Sequence, residues 1–405
     1  MPLASASAVA RLKASGSISE TAIPAAWLLI ARRIALTISP TSLRREPVHT
    51  YLAPMSEHAF GRTPALTVGV EEELLLVDKD TLALSGDAGA VLARLDGLPQ
   101  GTAGHEAFAA EIELRSPAAP DAEAAVRAIG RARAAAQQAG AILMGAGLHP
   151  DAQLGDAELV AKERYRRVEE EMRGLIRRTP ECALHVHVGM PDADAAVHAL
   201  NGLREALPML QALAANSPFW FGHDSGMASA RAAIVRAYPG RGVPRAFANW
   251  DDYAQTADHA LRAGDLPDYT YLWWDIRLQP RLGTVEVREL DAQAATEDIA
   301  AIAGLIHALA LRAIEDPPQH PTPPEALAWS AWMASRDGLD AAVLDRSGNR
   351  RSLREIALAT VAELGADGAA RIARAGNGAE RQRRSFARGS MGLLLAELVR
   401  ATSEL

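Results

Sequence analysis

Four short segments of the chain alternate charged and apolar residues with the period of a β-strand, and this alternation is the strongest constraint on the fold. The segments read TVGVEEELLLV, AEIELRS, ALHVHVGM and GTVEVREL, and they begin at Thr67, Ala110, Ala183 and Gly283. Because residues i and i+2 of a strand share a face, each segment has one apolar face and one face of Glu, His or Arg. The sequence therefore predicts a sheet that packs on a core through one face and concentrates charge on the other.

The charged face of this sheet admits two interpretations. One is the solvated face that antiparallel sheets commonly have. However, carboxylates crowded on one face repel one another unless cations lie among them. Carboxylate oxygens with an occasional imidazole are typical of a magnesium or manganese site, which we favour; zinc held by the two histidines is the weaker alternative. The charged positions are Glu71, Glu73, Glu111, Glu113, Arg115, His185, His187, Glu286 and Arg288.

Glu72 does not fit this scheme, because it falls on the apolar face of its segment. An unpaired carboxylate is costly to bury in apolar surroundings. We expect Glu72 to pair with an arginine or to mark a local bulge, and we do not count it as a metal ligand.

Composition bounds the class of protein. The chain has 405 residues with 49% hydrophobic and 23% charged residues, which is typical of a globular protein. Its net charge of −8 argues against a nucleic-acid-binding surface. No apolar run approaches the ~20 residues that span a bilayer, so we expect neither nucleic acid nor membrane as a partner.

The single cysteine, Cys182, forms no intramolecular disulfide, which suits a cytoplasmic location, and we expect it to be a small buried residue.

The chain divides into an extension and one domain. Residues 1–60 show little periodicity, and we expect a disordered or loosely packed N-terminal extension. From residue 61 to about 395, short strands alternate with long Ala-rich helices, which predicts a single α+β catalytic domain. One helix should begin after Asp121 and stop at Gly140, others should cover 156–178, 192–216 and 296–316, and the part beyond Pro317 should be helical with a turn at 346–352.

Removal of residues 1–54, so that the chain begins at Met55, is expected to leave the melting temperature and the activity unchanged. The reason is that this segment lacks the hydrophobic periodicity through which a segment packs on a core. Thermal unfolding and turnover of the two chains would be compared, and a clear loss of either in the shorter chain would show that the extension packs on the domain.

Two further segments have the composition of site loops. The stretch 215–231, ANSPFWFGHDSGMASAR, holds aromatic, glycine and polar residues in a turn-rich run that could wrap a small substrate. The stretch YLWWDIRLQPR carries Arg277 and Arg281, which are candidate forks for a carboxylate or a phosphate. Its adjacent tryptophans, Trp273 and Trp274, are expected to pack rather than to stack on a cofactor. No glycine-rich phosphate loop of the Walker or dinucleotide type is present in the sequence.

Several motifs, in order from about Leu66 to Phe386, resemble the glutamate–cysteine ligase type 2 family, in particular its bacterial carboxylate–amine ligase branch. They are GVEEELLLVD, LHVHVGMPD, ANSPFW followed by DSG, LWWDIR, TVEVRELDAQ and GNGAERQR. The resemblance implies a glutamine-synthetase-like antiparallel sheet that forms an active-site funnel, with helices around it.

The resemblance also implies a chemistry. ATP, with Mg²⁺ or Mn²⁺, would phosphorylate the γ-carboxylate of glutamate, and an amine would attack the acyl phosphate. The implied metal and phosphate cluster is Glu71, Glu73, Glu113, His185 and Glu286; Glu286 and Arg288 would be catalytic, and Arg231, with Arg277 and Arg281, would bind substrate. The same residue types are expected on physical grounds. The carboxylate and the triphosphate repel each other, so cations and arginines have to neutralise them.

One stretch departs from the family pattern. Trp329 and Ser330 stand where the family carries an acid and an amide, so we expect a bulky side chain to fill volume there and cysteine to be a weak acceptor. Two alternatives remain open. A guanidino kinase of the same fold would need a reactive cysteine in a substrate loop, and a degenerate homologue would bind a nucleotide or amino acid as a sensor. The chain is also a candidate homo-oligomer.

Overall fold

The structure is a computed structural model, and it describes residues 57–62, 64–345 and 348–404. The predicted N-terminal extension therefore lies outside the described residues except for its last four positions. There, Ala59 N donates to Pro280 O at 2.7 Å, and the buried Phe60 ring lies 5.3 Å from the ring of Trp250. The described part of the chain thus starts with residues that are anchored on the core.

An antiparallel sheet, with strands of different lengths, is the centre of the fold. Its strand order is β2-β3-β1-β5-β9-β8, and β4 pairs with the end of β1. Two small hairpins, β6-β7 and β10-β11, lie outside this sheet. The strands are β1 (Val68–Leu76), β2 (Ala103–His105), β3 (Glu111–Arg115), β4 (Leu143–Met144), β5 (Ala183–Gly189), β6 (Phe219–Trp220), β7 (His223–Asp224), β8 (Ile276–Gln279), β9 (Thr284–Asp291), β10 (Ala342–Leu344) and β11 (Arg350–Ser352).

Helices cover the apolar face of the sheet. The long helices α4 and α7 pack against each other and on the strands, and α2 joins them beside β1. Gly202 of α4 permits this close approach, because a Cβ added there would lie 2.2 Å from the Cβ of Ala313. The helices are α1 (Ala88–Arg94), α2 (Ala122–Gln138), α3 (Glu163–Met172), α4 (Ala193–Ala214), α5 (Ala230–Ile234), α6 (Trp250–Ala263), α7 (Thr296–Glu315), α8 (Pro324–Asp337), α9 (Leu353–Leu364), α10 (Asp367–Ala375), α11 (Gly378–Arg388) and α12 (Met391–Ser403).

The predicted helices are confirmed in part. Helix α2 begins after Asp121, whose side chain accepts from Ala124 N, and it ends before Gly140, which has a φ of +93°. The helix expected over 156–178 is wrong at its start, since the α-helix is confined to Glu163–Met172 and a 3₁₀ turn follows it. The part beyond Pro317 is helical as expected, but the turn predicted at 346–352 is too long, because its last three residues form strand β11 (Arg350–Ser352) of a short hairpin with β10.

The alternation of faces in the four strands is confirmed by their register. Glu73 lies opposite Glu113, Glu71 opposite His185, and His187 opposite Glu286, so their side chains lie on one face of the sheet. The other face carries the main hydrophobic core. The predicted fold class, an α+β fold built on an antiparallel sheet with surrounding helices, is therefore confirmed.

Strand β9 contains an irregularity that the sequence did not reveal. Its pairing with β5 shifts register between Val287 and Leu290, opposite the Leu184–Val186 step. Because an extra residue changes which face later side chains point to, Leu290 returns to the apolar core while Glu289 and Asp291 turn to the charged face. The bulge thus adds two carboxylates to the face that the alternation predicted.

Glu72 meets an arginine, as expected. Both side chains are fully buried, and Arg133 of α2 donates to Glu72 through Nε at 2.8 Å and Nη2 at 2.6 Å. The remaining Arg133 donors reach the carbonyl oxygens of Gln293, Ala294 and Thr402. The guanidinium therefore joins β1, α2, the segment after β9 and the C-terminal helix α12 at one point.

Among the described residues, no helix is both long and apolar enough to cross a membrane.

Candidate active site

Three potential metal ligands from three strands lie close together on the charged face. One ligand atom from each of Glu71, His187 and Glu286 lies within 4.8 Å of the others. His187 Nδ1 is held by Thr284 Oγ1 at 2.9 Å, which directs Nε2 toward Glu71 Oε1 at 3.6 Å. This Nε2 is buried and has no hydrogen-bond partner. The strand alternation placed His187 on the charged face, where its expected role was limited to the zinc alternative.

His185 stands between three carboxylates from two strands, β1 and β9. Its Nδ1 lies 3.5 Å from Glu71 Oε2 and 3.9 Å from Glu286 Oε1, and its Nε2 lies 3.9 Å from Glu73 Oε1. Glu73 Oε2 accepts from Ala183 N at 2.6 Å. The structure therefore brings four of the five residues of the predicted metal cluster into direct proximity.

The fifth residue of that cluster, Glu113, lies at the margin of this group. It pairs with Arg115 of its own strand, and Arg115 Nε also lies 3.8 Å from Glu71 Oε1. An arginine thus separates the Glu113 carboxylate from the neighbouring Glu71.

Arginines surround the carboxylate of Glu286. Arg277 Nε and Gln279 Nε2 both donate to Glu286 Oε2, at 2.7 Å and 2.6 Å, and Arg288 donates to Oε1. The remaining donors of Arg277 reach the carbonyls of Tyr269, Thr270 and Leu272. Arg277 therefore orients Glu286, whereas Arg288, whose Nε is buried without a partner, has a donor left for another group.

The electrostatics of the site separate its titratable groups into two kinds. Burial alone raises a carboxyl pKa, but His187 and His185 hold the pKa of Glu71 well below its usual range, and Arg277 and Arg288 do the same for Glu286. Burial raises the pKa of Glu73, and burial together with Arg288 lowers the pKa of His185. The neighbours of Glu71 and Glu286 thus favour their ionised forms, whereas the surroundings of His185 disfavour its charged form.

The charged face continues into an acidic region formed by Glu111, which the strand alternation placed on this face, and by Glu106, which it did not. Burial, with Glu106 and Glu73 nearby, raises the pKa of Glu111 well above its usual value. Glu111 accepts from Phe108 N at 3.2 Å and from Cys182 Sγ at 3.5 Å. Glu106 lies in a loop, outside any alternating pattern, so no sequence signal pointed to it.

Cys182 is buried, as expected, and is not a reactive thiol. Its side chain is fully buried, and burial followed by the charge of Glu111 raises its pKa well above the usual value. A nucleophilic cysteine needs a lowered pKa and some exposure. The guanidino-kinase alternative therefore lacks the residue that its chemistry would require.

Of the other candidate arginines, Arg231 lies beside the site and Arg281 does not. Arg231 is 3% exposed, and its Nη1 lies 3.4 Å from Asp291 Oδ1 while its Nε has no partner. Arg281 is exposed in the β8-β9 turn and lies over the ring of Tyr269, at 5.4 Å. The structure therefore does not bring Arg281 to the charged cluster.

The loop at 215–231 is fixed to the charged face by Asp291. This carboxylate accepts from Asn216 N at 2.8 Å, from Ser217 Oγ at 2.7 Å and from Ser229 Oγ at 2.9 Å. Gln382, from the GNGAERQR motif, donates to Asn216 O at 2.8 Å from the other side. The loop is thus a rigid wall beside Arg231.

The expectation that Trp329 fills volume in the site is wrong. The side chain is 70% exposed on α8, and Ser330 Oγ merely donates to Ala326 O within the helix. Residues Trp273 and Trp274 do pack, as predicted: the first is buried, and the second stacks with Phe247 at 6.1 Å.

Comparison with known proteins decides the family. A model of "Glutamate-cysteine ligase family 2(GCS2)" matches residues 67–392. The chain belongs to glutamate–cysteine ligase family 2.

Relatives of this ligase family span nearly the whole chain. This chain is 40% identical over 365 residues to "Putative glutamate--cysteine ligase 2-3" of Rubrobacter xylanophilus, and the match covers 86% of this chain and 100% of that protein. It is 35% identical over 363 residues to "Glutamate--cysteine ligase" of Haloquadratum walsbyi, covering 85% and 97%. The resemblance inferred from the motifs is thereby confirmed.

Solved structures support the fold. The bifunctional glutathione synthetase of Pasteurella multocida has a TM-score of 0.62 at 15% identity, covering 84% of this chain, which spans 52% of that protein. Glutamate–cysteine ligase of Francisella tularensis, solved with AMP, has a TM-score of 0.59 at 12% identity, covering 85% and 90%.

The donor set of this ligase-family chain fits a divalent cation. Glu71 and Glu286 offer anionic oxygens, and His187 Nε2 is buried without a partner and adjoins both. Carboxylate oxygens with one imidazole suit magnesium or manganese. A cation there would compete with Arg288 for Glu286 Oε1.

Proposed function

We propose that this ATP-dependent carboxylate–amine ligase activates the γ-carboxylate of glutamate as an acyl phosphate and transfers the acyl group to an amine. The observation that carries the proposal is the charged face, where β1, β3, β5, β8 and β9 place carboxylates, imidazoles and arginines side by side. Such a surface suits a reaction in which a carboxylate and a triphosphate must approach each other.

The reaction balances without a nucleophile from the protein. A γ-carboxylate oxygen attacks the terminal phosphorus of ATP, and the bond from that phosphorus to the bridging oxygen of ADP breaks. The amine lone pair then attacks the acyl carbon, phosphate leaves with the bonding electrons, and the nitrogen loses a proton to a base. The inert Cys182 is consistent with this route.

Each group on the charged face has a task in this proposal. Glu71, His187 and Glu286, with Glu73, His185 and Glu113 beside them, would hold Mg²⁺ or Mn²⁺, which supplies neutralisation of the phosphate oxygens. Arg288 offers its free donor to the transferred phosphate. The buried Arg231, at the rigid loop, offers its unpartnered Nε to a substrate carboxylate.

The test is ADP release with ATP, a divalent cation, glutamate and a panel of amines, with each component omitted in turn. Mass spectrometry of the product should show one amide bond formed for each ADP released. A protein that binds ATP or glutamate but releases no ADP with any amine would instead be the sensor that the altered 329–330 stretch raised as an alternative.

We predict that cysteine is a weak or merely permitted acceptor. Trp329 and Ser330 stand where the family carries an acid and an amide, and because Trp329 points into solvent and Ser330 Oγ bonds within its own helix, neither offers a hydrogen bond that would select cysteine. Steady-state kinetics with cysteine, alanine, 2-aminobutyrate and alkylamines would measure this. A kcat/KM for cysteine far above those of all other amines would contradict the prediction.

A further inference from the structure

Two arginines and two carboxylates form a closed ionic group next to the charged face, at the start of β8 and the bulge of β9. Arg236 Nη1 lies 3.0 Å from Asp275 Oδ2, and Arg241 Nε lies 2.9 Å from Asp275 Oδ1. The same arginines reach Glu289, at 3.5 Å from Arg236 Nη2 and 2.6 Å from Arg241 Nη2. We call these four residues the arginine–carboxylate box.

The box is buried, and Arg241 is its central member. Asp275 and Glu289 are fully buried, and the Arg241 side chain is 6% exposed, whereas Arg236 is half-buried. A guanidinium fork can bridge two carboxylates in a fixed geometry that an ammonium group cannot reproduce. Replacing Arg241 therefore removes a geometric restraint even when the charge is kept.

The box holds both backbone groups of Arg288. Arg288 N donates to Asp275 O at 2.8 Å, and Arg241 Nη2 donates to Arg288 O at 3.5 Å. Arg288 lies in the bulge of β9, where regular pairing with β5 is interrupted. A bulge leaves a ladder locally unpaired, so the Arg288 backbone is held from the other side, by the backbone of Asp275 just before β8 and by the Arg241 side chain.

We propose that the arginine–carboxylate box is a positioning device that fixes the β9 bulge and thereby aims the Arg288 guanidinium at the transferred phosphate, with Arg241 as the principal positioning residue. The inference rests on the proposed function, because it takes Arg288 as the group that contacts phosphate. It adds four residues from three separate segments, and one of them, Glu289, also meets the end of the loop at 215–231, where its backbone oxygen accepts from Arg231 Nη1 at 3.3 Å.

The charge of the box supports this role. Burial, followed by the charge of the nearby Glu289, raises the pKa of Asp275 to about 7, although the charges of Arg241 and Arg236 act to lower it. Arg241, Arg236 and Arg231 hold the pKa of Glu289 below its usual value despite its burial. Asp275 therefore gains its charge near neutral pH and completes its ion pairs with both arginines.

The first test compares Arg241→Lys with Arg245→Lys. Arg245 lies four residues further along and pairs with Asp252 on the surface, without contact to β9, so it is the matched control. A misaimed catalytic group costs up to about 100-fold in rate. We expect Arg241→Lys to lower kcat by about 10- to 100-fold with KM for ATP and glutamate nearly unchanged, and Arg245→Lys to match the wild type.

The second test uses Asp275→Asn, an isostere of the protonated acid. The wild-type kcat is expected to rise through about pH 7 as Asp275 ionises, and this inflection should be missing in the variant. Because the folded-state pKa exceeds the unfolded value of 3.8, folded protein binds more protons between these values. Wild-type stability should therefore fall as pH rises through that window by more than the stability of the variant.

The outcomes separate the two proposals. A wild type that releases no ADP with glutamate and any amine rejects the proposed function and, with it, the aiming of Arg288. With an active wild type, unchanged kcat in Arg241→Lys overturns the positioning role while the function stands. An Asp275→Asn variant that is less stable at every pH but keeps the wild-type pH profile shows that the box is merely structural, and also overturns the inference.

Discussion

Replacing Glu71 with glutamine is expected to lower amine-dependent ADP release by at least about 100-fold, since even the outer partners of a metal ligand cost 10- to 100-fold when they are lost. Glu71 adjoins His185, His187 and Arg115, and the histidines keep it ionised. Glutamine has nearly the same shape but no charge. It therefore removes the anionic oxygen from the proposed cation site without creating a cavity.

The loss of turnover should come from weaker metal binding and not from unfolding of the protein. Turnover would be measured across a magnesium or manganese titration, and unfolding by denaturant would be compared with the wild type. Glu363→Gln, on the exposed face of α9, is the control and should leave both unchanged. Wild-type turnover of Glu71→Gln at saturating metal would contradict the assignment; Glu73→Gln should change turnover in the same direction.

The charged face could be predicted because its signal is local. The strand period of two residues places side chains on a face by their number alone, so Glu71, Glu73, His185 and Glu286 could be grouped before their pairing was known. The register then follows the same constraint, since a slip of one residue would bury every charge in the apolar core.

The remaining parts of the site depend on long-range structure. Glu289 and Asp291 reach the charged face through a bulge, and a bulge leaves no mark in an alternation pattern. Strand β8 was missed because its four residues, Ile276–Gln279, are too few to show a period. Glu106 comes from a loop, and its place beside Glu73 and Glu111 is set by tertiary packing.

The interpretation of Trp329 failed for a related reason. Its position in a motif suggested a site wall, but the side chain faces outward on α8, whose buried residues are Leu327, Ala331, Ala334 and Ser335. The helical spacing of these buried residues places Trp329 opposite the core. A resemblance between motifs gives a position in the chain and not the direction of a side chain.

Glu72, next to Glu71, is expected to matter for the stability of the fold and not for activity. The largest expected change in stability comes from replacing its partner, Arg133. Replacing Arg133 with methionine is expected to destabilise the fold by about 3–5 kcal/mol, since it leaves a buried carboxylate without its countercharge. It also removes the donors to the carbonyls of Gln293, Ala294 and Thr402. The activity of each remaining folded molecule should stay near that of the wild type, because Glu72 lies on the face away from the site.

The control is Arg131→Met, an exposed arginine two residues earlier on α2, which should change stability by less than about 0.5 kcal/mol. A double variant, Glu72→Met with Arg133→Met, removes the unpaired charge and should recover part of the loss. Full recovery is not expected, because the three carbonyls would still lack their donor. Denaturant midpoints would rank the variants, and an Arg133→Met protein as stable as the Arg131→Met control would show that the buried pair does not hold α2 and α12 to the sheet.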